Sequence, residues 1–397
     1  MKLKPLVKLQ EEPPRLPVKP GYYFESGAWA IAIGAILAGA RFFAYYPIEP
    51  ATDIAEALVS LFPKAGGLVV QTEDEISALA AAIGASWAGV KAFTATSGPG
   101  MSLMMEHISY AAMTETPVVI IDGMRAGPST GQATKASQQD VMQAKWGAHG
   151  DYEIVAYAPS SVQELLEYTV KAFNAAERWR VPVFLLADKM TVLLMENVRV
   201  PEPSQVVRVE RKRPRVPPGD PSFKPFEPDE DLVPPMPRFG EGYGVHVTGV
   251  THNEYGVAVS DDPVVHHKLV KRLCDKIRRN RDKIVEYETF GDENPSHVIV
   301  AYGFVARAAR QAVRMLREKG IRAALFRPIT LWPFPGPELA RFARNAEKIL
   351  VAEMNYGQVV HLVAEHVGGW ERVELEPRIG ELPPTPEELA ERLVSKA

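Results

Sequence analysis

Three groups of residues whose types could take part in chemistry follow one another in the first third of the chain. The acidic run 73–75 precedes an alanine-rich stretch, the turn 97–100 follows a β-branched run, and Arg125 follows a run of Val and Ile. A guanidinium fork suits a carboxylate, and a glycine turn at a helix N-terminus can bind phosphate. The turn 97–100 and Arg125 are therefore candidates for binding an anion, provided that the fold brings them to one edge of a sheet.

Each group also has a structural explanation. Acidic residues at a helix N-terminus are favoured by the helix dipole, the turn 97–100 is compatible with an ordinary turn, and Arg125 with a structural ion pair. The turn lacks the Lys and the Ser or Thr of a P-loop, which argues against a nucleoside triphosphate. His266 and His267 are adjacent and therefore diverge on a helix, which argues against a zinc site.

The elements that must position these groups alternate between helices and short strands from residue 27 to about residue 197. This alternation is typical of a layered α/β domain with a parallel sheet, in which ligands bind beyond the carboxyl ends of the strands. Helices are predicted over 74–88 and 101–114, and strand 181–187 is expected to close the sheet. The other predicted strands are 41–46, 68–71, 91–96 and 117–122.

Prolines punctuate residues 201–237 and exclude a helix or an inner strand there. The segment is either an extended linker or a strip lying across a partner subunit. A second, smaller α/β unit begins near His297, with predicted strands 298–302, 322–326 and 349–353. A charged helix is expected near 266–281.

Composition excludes several classes of protein. The formal charge of −4 and pI near 6.2 argue against binding to nucleic acid or to an anionic membrane. Cys274 is the single cysteine, which excludes an internal disulfide and an iron–sulfur cluster held by this chain alone. The apolar stretch 28–40 is too short for a membrane span, and the first residues lack a signal-peptide core, so a cytoplasmic location is expected.

Ordered motifs covering most of residues 27–368 resemble the α subunit of the 2-oxoacid:ferredoxin oxidoreductases, most closely the 2-oxoglutarate branch. The motifs are Tyr46-Pro47-Ile48-Glu49-Pro50 and the segments 73–86, 93–104, 124–140, 247–256, 326–335 and 351–358. The resemblance implies a pyrimidine-binding domain of the thiamine-diphosphate type over 27–200, after an N-terminal extension, 1–26. It also implies a proline-rich linker over 201–239 and a transketolase-C-terminal-like α/β domain over 240–397.

The family resemblance implies thiamine diphosphate shared between two chains. This chain would hold the aminopyrimidine, while a β subunit would hold the diphosphate, Mg²⁺ and a [4Fe–4S] cluster. The sequence lacks a Gly-Asp-Gly motif with a downstream Asn for that magnesium site. Its length predicts separate β and γ chains, and a ferredoxin-like δ subunit is a further possible partner; ferredoxin would accept the electrons and coenzyme A the acyl group.

Individual residues take roles through the same resemblance. Glu75 matches the glutamate that hydrogen-bonds the pyrimidine nitrogen and favours its imino tautomer, and an apolar surrounding is expected to raise its pKa. Arg125 matches the arginine that grips the 2-oxoacid carboxylate. Tyr46 matches a position in the substrate pocket. The cofactor-binding positions are Pro47, Ser97 and Gly98.

Glu49 departs from the family pattern, in which a Thr hydrogen-bonds the substrate carboxylate. An ionised Glu49 would repel that carboxylate by about 4 kcal/mol at a separation of about 4 Å and an effective dielectric of about 20. It could pair with a cation of a neighbouring chain, stay protonated, turn toward Arg125, or face a donor at the far end of the substrate. Residues 27–30 also replace a familiar Gly-Asn-Glu-Ala.

The expected function is CoA-dependent oxidative decarboxylation of 2-oxoglutarate to succinyl-CoA. The alternatives are pyruvate, a branched-chain or another 2-oxoacid as substrate, a self-sufficient transketolase or decarboxylase, and a non-catalytic scaffold subunit. The missing magnesium motif argues against the self-sufficient enzyme, and Glu49 motivates the scaffold.

Overall fold

Most strands of the first half of the chain form one large, mostly parallel sheet in the computed structural model, which describes residues 14–380 and 382–395. The first and last strands of this half pair antiparallel in a separate two-stranded sheet. Residues 1–13 of the predicted N-terminal extension lie outside the described residues. The strands of this half are β1 Gly21–Ser26, β2 Ala40–Tyr45, β3 Leu68–Gln71, β4 Lys91–Thr96, β5 Val118–Ala126, β6 Gln132–Ala136, β7 Val155–Tyr157, β8 Pro182–Asp188 and β9 Met195–Val200.

Helices cover both faces of that sheet. They are α1 Gly27–Leu37, α2 Ala51–Leu61, α3 Glu75–Trp87, α4 Gly98–Leu103, α5 Met105–Met113, α6 Val141–Trp146, α7 Val162–Trp179 and α8 Lys189–Leu193. Almost all of α1 is buried, because it packs between α7 and α2. Gly34 permits this approach, since a Cβ there would lie 2.6 Å from the Leu166 carbonyl oxygen.

The second half contributes β10 Tyr287–Gly291, β11 His297–Ala301, β12 Ala323–Pro328, β13 Thr330–Trp332, β14 Lys348–Glu353 and β15 Val373–Pro377. Its helices are α9 Pro263–Arg278, α10 Val305–Glu318, α11 Gly336–Phe342, α12 Val359–Val367 and α13 Pro386–Val394. Val305, Ala309 and Leu316 form the buried face of the amphipathic α10, which packs on the sheet.

Strand order shows that the two halves share a sheet. The first sheet runs β13-β7-β8-β5-β4-β2-β3, with β6 pairing β5, and the second runs β10-β12-β11-β14-β15. The expectation that strand 181–187 closes the first sheet was wrong, because β7 and β13 lie beyond β8. Since β13 comes from the second half, this edge depends on a long-range pairing that local sequence does not encode.

Three further boundaries differ from prediction. The predicted turn at 97–100 is the first turn of α4, because Pro99 occupies an early helix position where its missing N–H costs nothing. The helix predicted over 101–114 is interrupted at Met104, between α4 and α5. Arg125 lies inside β5 and not after it, because β6 pairs with β5 and prolongs the strand to Ala126.

The proline-rich segment lies across the first domain of its own chain. Arg180 donates to the carbonyl oxygens of Pro234 and Pro235 at 3.2 and 2.8 Å. Arg211 of the segment binds Glu177 of α7 through two hydrogen bonds of 2.7 and 2.6 Å. The segment is therefore an ordered part of the domain surface.

No helix in the described parts of the chain is both long and apolar enough to cross a membrane.

Candidate active site

Glu75 opens α3 at the carboxyl edge of the first sheet. Asp74 caps the helix, its carboxylate accepting the Ser77 amide at 2.7 Å, and this cap fixes Glu75 in the first turn. Only 4% of Glu75 is exposed. Burial raises the pKa of its carboxyl, the hydrogen bond from its own backbone amide opposes this rise, and Asp74 adds to it. The environment that the resemblance implied for Glu75 is therefore present.

The glycines of α4 allow the backbone to approach two carboxyl groups. A Cβ at Gly100 would lie 2.4 Å from Oε1 of Glu75, and a Cβ at Gly98 would lie 2.8 Å from Oδ1 of Asp140. Any larger residue would collide with these carboxyls. Ser97, at the start of the turn, is buried, and its hydroxyl has no hydrogen-bond partner among the described residues.

Arg125 is held by backbone carbonyl groups. Its Nη1 donates to the carbonyl of Glu49 at 2.9 Å and its Nη2 to that of Thr130 at 3.2 Å. Its Nε is buried without a partner in the described structure. The guanidinium therefore keeps its positive charge uncompensated by a direct ion pair, as a carboxylate-binding residue requires.

Glu49 forms an ion pair within its own chain. Its Oε1 lies 2.7 Å from Nζ of Lys189, which also donates to the carbonyl of Ala133 at 2.9 Å. Lys189 is 7% exposed and the Glu49 side chain 41%. Of the four alternatives, pairing with a cation is observed, but the cation comes from α8 and not from a neighbouring chain. Sequence reasoning missed Lys189, although it follows β8 directly at the same sheet edge.

A cavity of about 430 Å³ lies between the carboxyl edge of the first sheet and the second α/β unit. Of the predicted residues, Gly98 and Arg125 line it. Glu75, Glu49, Tyr46, Pro47 and Ser97 are not in its wall, although Glu49 touches Arg125 and Glu75 lies against Gly100. The other lining residues are Pro99, Ser102, Gly127, Pro128, Ser129, Gln139, Asp140, Gln143, Asn355, Tyr356, Gly357 and Gln358.

One wall of the cavity, residues 355–358, comes from the loop after β14. Gln138 fixes this loop, since its amide donates to the Tyr302 carbonyl at 3.0 Å and accepts from the Met354 amide at 3.1 Å. The buried Glu353 accepts from the first amides of α12 and orients the loop from behind. Sequence reasoning placed no site residue in the second domain, although the motif 351–358 follows a strand end, where ligands bind.

Asp140, in the cavity wall, meets the buried Asp122, and sequence reasoning missed both. Asp122 is 0% exposed and Asp140 is 7% exposed. Their side chains hydrogen-bond each other, and burial raises the pKa of both, to about 7 for Asp140. Asp122 could have been suspected from its place near the end of an apolar strand.

The arrangement around Glu75 fits a heterocyclic cofactor that offers a ring nitrogen. Its buried carboxyl receives no hydrogen bond from another side chain of the described residues and faces the close backbone of Gly100. Such a carboxyl is suited to share a proton with a nitrogen acceptor. Within residues 14–380 and 382–395, no cluster of His, Cys, Asp or Glu could hold a metal ion.

Family models match both halves of the chain. Residues 25–272 match the model for the thiamine-diphosphate-binding domain of pyruvate flavodoxin/ferredoxin oxidoreductases. Residues 296–389 match core domain II of pyruvate:ferredoxin oxidoreductase.

Similar proteins carry consistent names. The 2-oxoglutarate synthase subunit KorA of Methanothermobacter thermautotrophicus is 50% identical over 92% of this chain and 96% of its own length. KorA of Methanocaldococcus jannaschii is 49% identical over 92% and 97%. A solved structure of the 2-oxoglutarate:ferredoxin oxidoreductase from Magnetococcus marinus, with 2-oxoglutarate, coenzyme A and succinyl-CoA bound, matches 94% of this chain with a TM-score of 0.89 at 33% identity. This chain spans 64% of that one.

Proposed function

Because the chain belongs to the pyruvate:ferredoxin oxidoreductase family, we propose that it is the pyrimidine-binding α subunit of a 2-oxoglutarate:ferredoxin oxidoreductase. The net reaction cleaves the bond between C1 and C2 of 2-oxoglutarate, releases CO₂ and forms the thioester of succinyl-CoA. Two electrons leave singly to two ferredoxin molecules, and the thiol proton of coenzyme A is released.

The observation that carries this proposal is the buried carboxyl of Glu75 against Gly100, with a raised pKa and no other side-chain partner among the described residues. Glu75 would hold the aminopyrimidine of thiamine diphosphate by donating a proton to a ring nitrogen. When bound, the cofactor supplies the carbanion that attacks the 2-oxo group. Ser97 and Pro47, near the same edge, are the further cofactor-binding positions that we propose.

Arg125 would bind the substrate carboxylate. Its two backbone contacts fix the guanidinium on a rigid strand, and its Nε remains without a partner in the described structure. A carboxylate in the cavity would make charge-assisted hydrogen bonds, which are about twice as strong as neutral ones. These bonds would hold the 2-oxo group of the substrate in one orientation in the cavity. Tyr46 follows β2 near this site and is the remaining substrate-binding position.

The electron-transfer centres would lie in partner chains. A [4Fe–4S] cluster is held by several thiolates, whereas the one cysteine here, Cys274, is buried in α9. We therefore propose a β subunit that holds the diphosphate, Mg²⁺ and the cluster, with a γ subunit, a possible δ subunit and ferredoxin as the acceptor. A cytoplasmic location is part of the same proposal.

Purification of the native complex tests this function. The tagged chain is expected to bring down its companions, and the complex should reduce ferredoxin with 2-oxoglutarate and coenzyme A faster than with pyruvate or branched-chain 2-oxoacids. Preference for another 2-oxoacid would change the substrate but keep the reaction. A complex that binds thiamine diphosphate equally well after Glu75→Gln and turns over no 2-oxoacid would identify a scaffold instead.

A further inference from the structure

A pair of carboxyl groups lies at the wall of the substrate cavity, and no cation of the described residues is bonded to either group. Asp122 comes from β5 and Asp140 from the turn before α6. Both oxygens of Asp122 and Oδ2 of Asp140 are buried, and no N–H or hydroxyl group of the described residues donates to them. Among the described residues, the polar interaction that remains for these oxygens is the hydrogen bond between the two carboxyls.

That geometry requires a proton between them. Two ionised carboxylates in contact repel each other, and burial removes the water that would screen the repulsion. The pair therefore keeps one proton at neutral pH, as other carboxyl dyads do. Burial and the neighbouring carboxyl raise the pKa of Asp122 far above its ordinary value, so the proton that the two carboxyls share is retained above neutral pH.

Asp140 connects this pair to the substrate site. It lines the cavity beside Arg125. Burial raises the pKa of Asp140, whereas the hydrogen bond with Asp122 and the positive charge of Arg125 lower it. Asp140 is thus the nearby negative charge that offsets Arg125, without a direct ion pair. Glu49 and Lys189 are already paired, and the buried Asp188 and Glu353 accept hydrogen bonds of their own. Charged groups on the surrounding elements include Arg125, Glu75, Glu49, Lys189, Asp188 and Glu353. On the two flanking elements, Lys145 of α6 is paired with Glu153 at 3.4 Å, and β6 carries Lys135.

We propose that Asp122 and Asp140 form a proton-holding pair that sets the affinity of Arg125 for the substrate: binding of a 2-oxoacid carboxylate is coupled to uptake of one proton by the pair. The inference rests on the proposed role of Arg125. A carboxylate at Arg125 brings a second negative charge next to Asp140 and partly neutralises the cation that holds Asp140 ionised. Protonation of Asp140 relieves both effects.

The direction of the pH dependence follows from this coupling. Below the pKa of Asp140 the pair is already neutral, and substrate binds without proton uptake. As pH rises through about 7, where Asp140 ionises, substrate binding must restore the proton and the affinity falls. The fall is at most about tenfold per pH unit, the limit for one proton.

Calorimetry on the purified complex measures the coupled proton. Binding of 2-hydroxyglutarate, which keeps both carboxylates but lacks the reactive 2-oxo group, is followed in two buffers of different ionisation enthalpy. We expect net proton uptake at about pH 8 in the wild type and none in Asp140→Asn, whose affinity should also become independent of pH. The exposed Asp261→Asn is the control and should behave as the wild type.

Infrared spectroscopy tests the shared proton without any ligand. The wild type should show a deuterium-sensitive C=O band of a protonated carboxyl at about pH 8, which Asp122→Asn removes. Absence of that band, or unchanged proton uptake in Asp140→Asn, overturns the proposal. If the wild type binds no analogue and turns over no 2-oxoacid, the role of Arg125 fails, while the infrared band still decides whether the pair holds a proton.

Discussion

Two regions of the molecule bury acidic side chains, and the pKa values of these side chains shift in opposite directions. Beneath the proline-rich segment, Glu115 is fully buried and accepts from Arg272 at 2.6 and 2.9 Å and from Lys276 at 2.7 Å. Burial alone would raise the pKa of Glu115, but these two cations outweigh it and hold the pKa well below its usual range. Nearby, Glu177 is paired with Arg211 in the same way.

At the carboxyl edge of the first sheet, burial determines the direction of the pKa shift. Glu75, Asp122 and Asp140 are nearly as buried as Glu115, yet none has a cation bonded to it in the described structure, and burial raises the pKa of each. A buried carboxylate with a purely structural role needs cations as ion-pair partners, because an unpaired buried charge destabilises the folded protein. Proton transfer at neutral pH needs carboxyl groups whose pKa is raised. Carboxyls without a cation partner, at a sheet edge beside an arginine without an ion pair, meet this need.

Replacing Glu75 by Gln should produce the largest effect on function. The amide keeps the shape but has no acidic proton, so activity of the complex should fall by about 10²- to 10⁴-fold, the usual contribution of a positioned acid or base. Stability should change little because no cation loses its partner. Steady-state kinetics and chemical denaturation measure the two effects, with the exposed Glu73→Gln as control. Full turnover in Glu75→Gln would remove Glu75 from the mechanism.

Replacing Glu115 by Ala should show the reverse pattern. Arg272 and Lys276 lose their buried partner, which should lower the free energy of unfolding by about 3–5 kcal/mol, while the activity per folded molecule stays near that of the wild type. The matched control is Glu210→Ala, which removes an exposed partner of Lys91 and should cost about 1 kcal/mol or less. A stable Glu115→Ala protein would show that these ion pairs contribute little.

The depressed pKa of Glu115 predicts that its contribution to stability is lost at acid pH. Because the pKa of Glu115 is depressed in the folded state, its contribution is fully present above the ordinary value of 4.5 and is lost as pH falls below it. The difference in unfolding free energy between wild type and Glu115→Ala should therefore shrink below that pH.

Arg125→Lys should have an intermediate effect. Lysine keeps the charge but cannot reproduce the fork that reaches Glu49 and Thr130 while binding a carboxylate. A charge-assisted hydrogen bond contributes about 1.5–3 kcal/mol, so KM for the 2-oxoacid should rise roughly 10- to 100-fold. Arg178→Lys, on the exposed side of α7, is the control. An unchanged KM would place the substrate carboxylate elsewhere.

Glu49→Thr should have the smallest effect. It frees Lys189, whose pair with the half-exposed Glu49 contributes about 1 kcal/mol or less. The free cation should attract the second carboxylate of 2-oxoglutarate and shift kcat/KM by a few-fold toward it and away from pyruvate. The double variant with Lys189→Met should lose this shift. No change in the ratio would show that position 49 does not affect substrate choice.

Local signals predicted the elements of the site well. Strands β3 and β4 occur over the predicted residues 68–71 and 91–96, and Glu75 opens the predicted alanine-rich helix. Apolar periodicity and helix caps operate over a few residues, so one sequence suffices to read them. Motif order likewise indicated the family, to which the relatives and family models assign the chain.

Tertiary structure decided how these elements meet. The pairing of Glu49 with Lys189, the contact between Asp122 and Asp140, and the cavity wall at 355–358 join residues that are far apart in the chain. So does the pairing of β13 with β7. The charge state of a carboxyl depends on burial and on which cation lies beside it, and both are properties of the packed chain. The sequence by itself therefore determined which groups are available for chemistry, whereas the fold decided which of them remain unpaired.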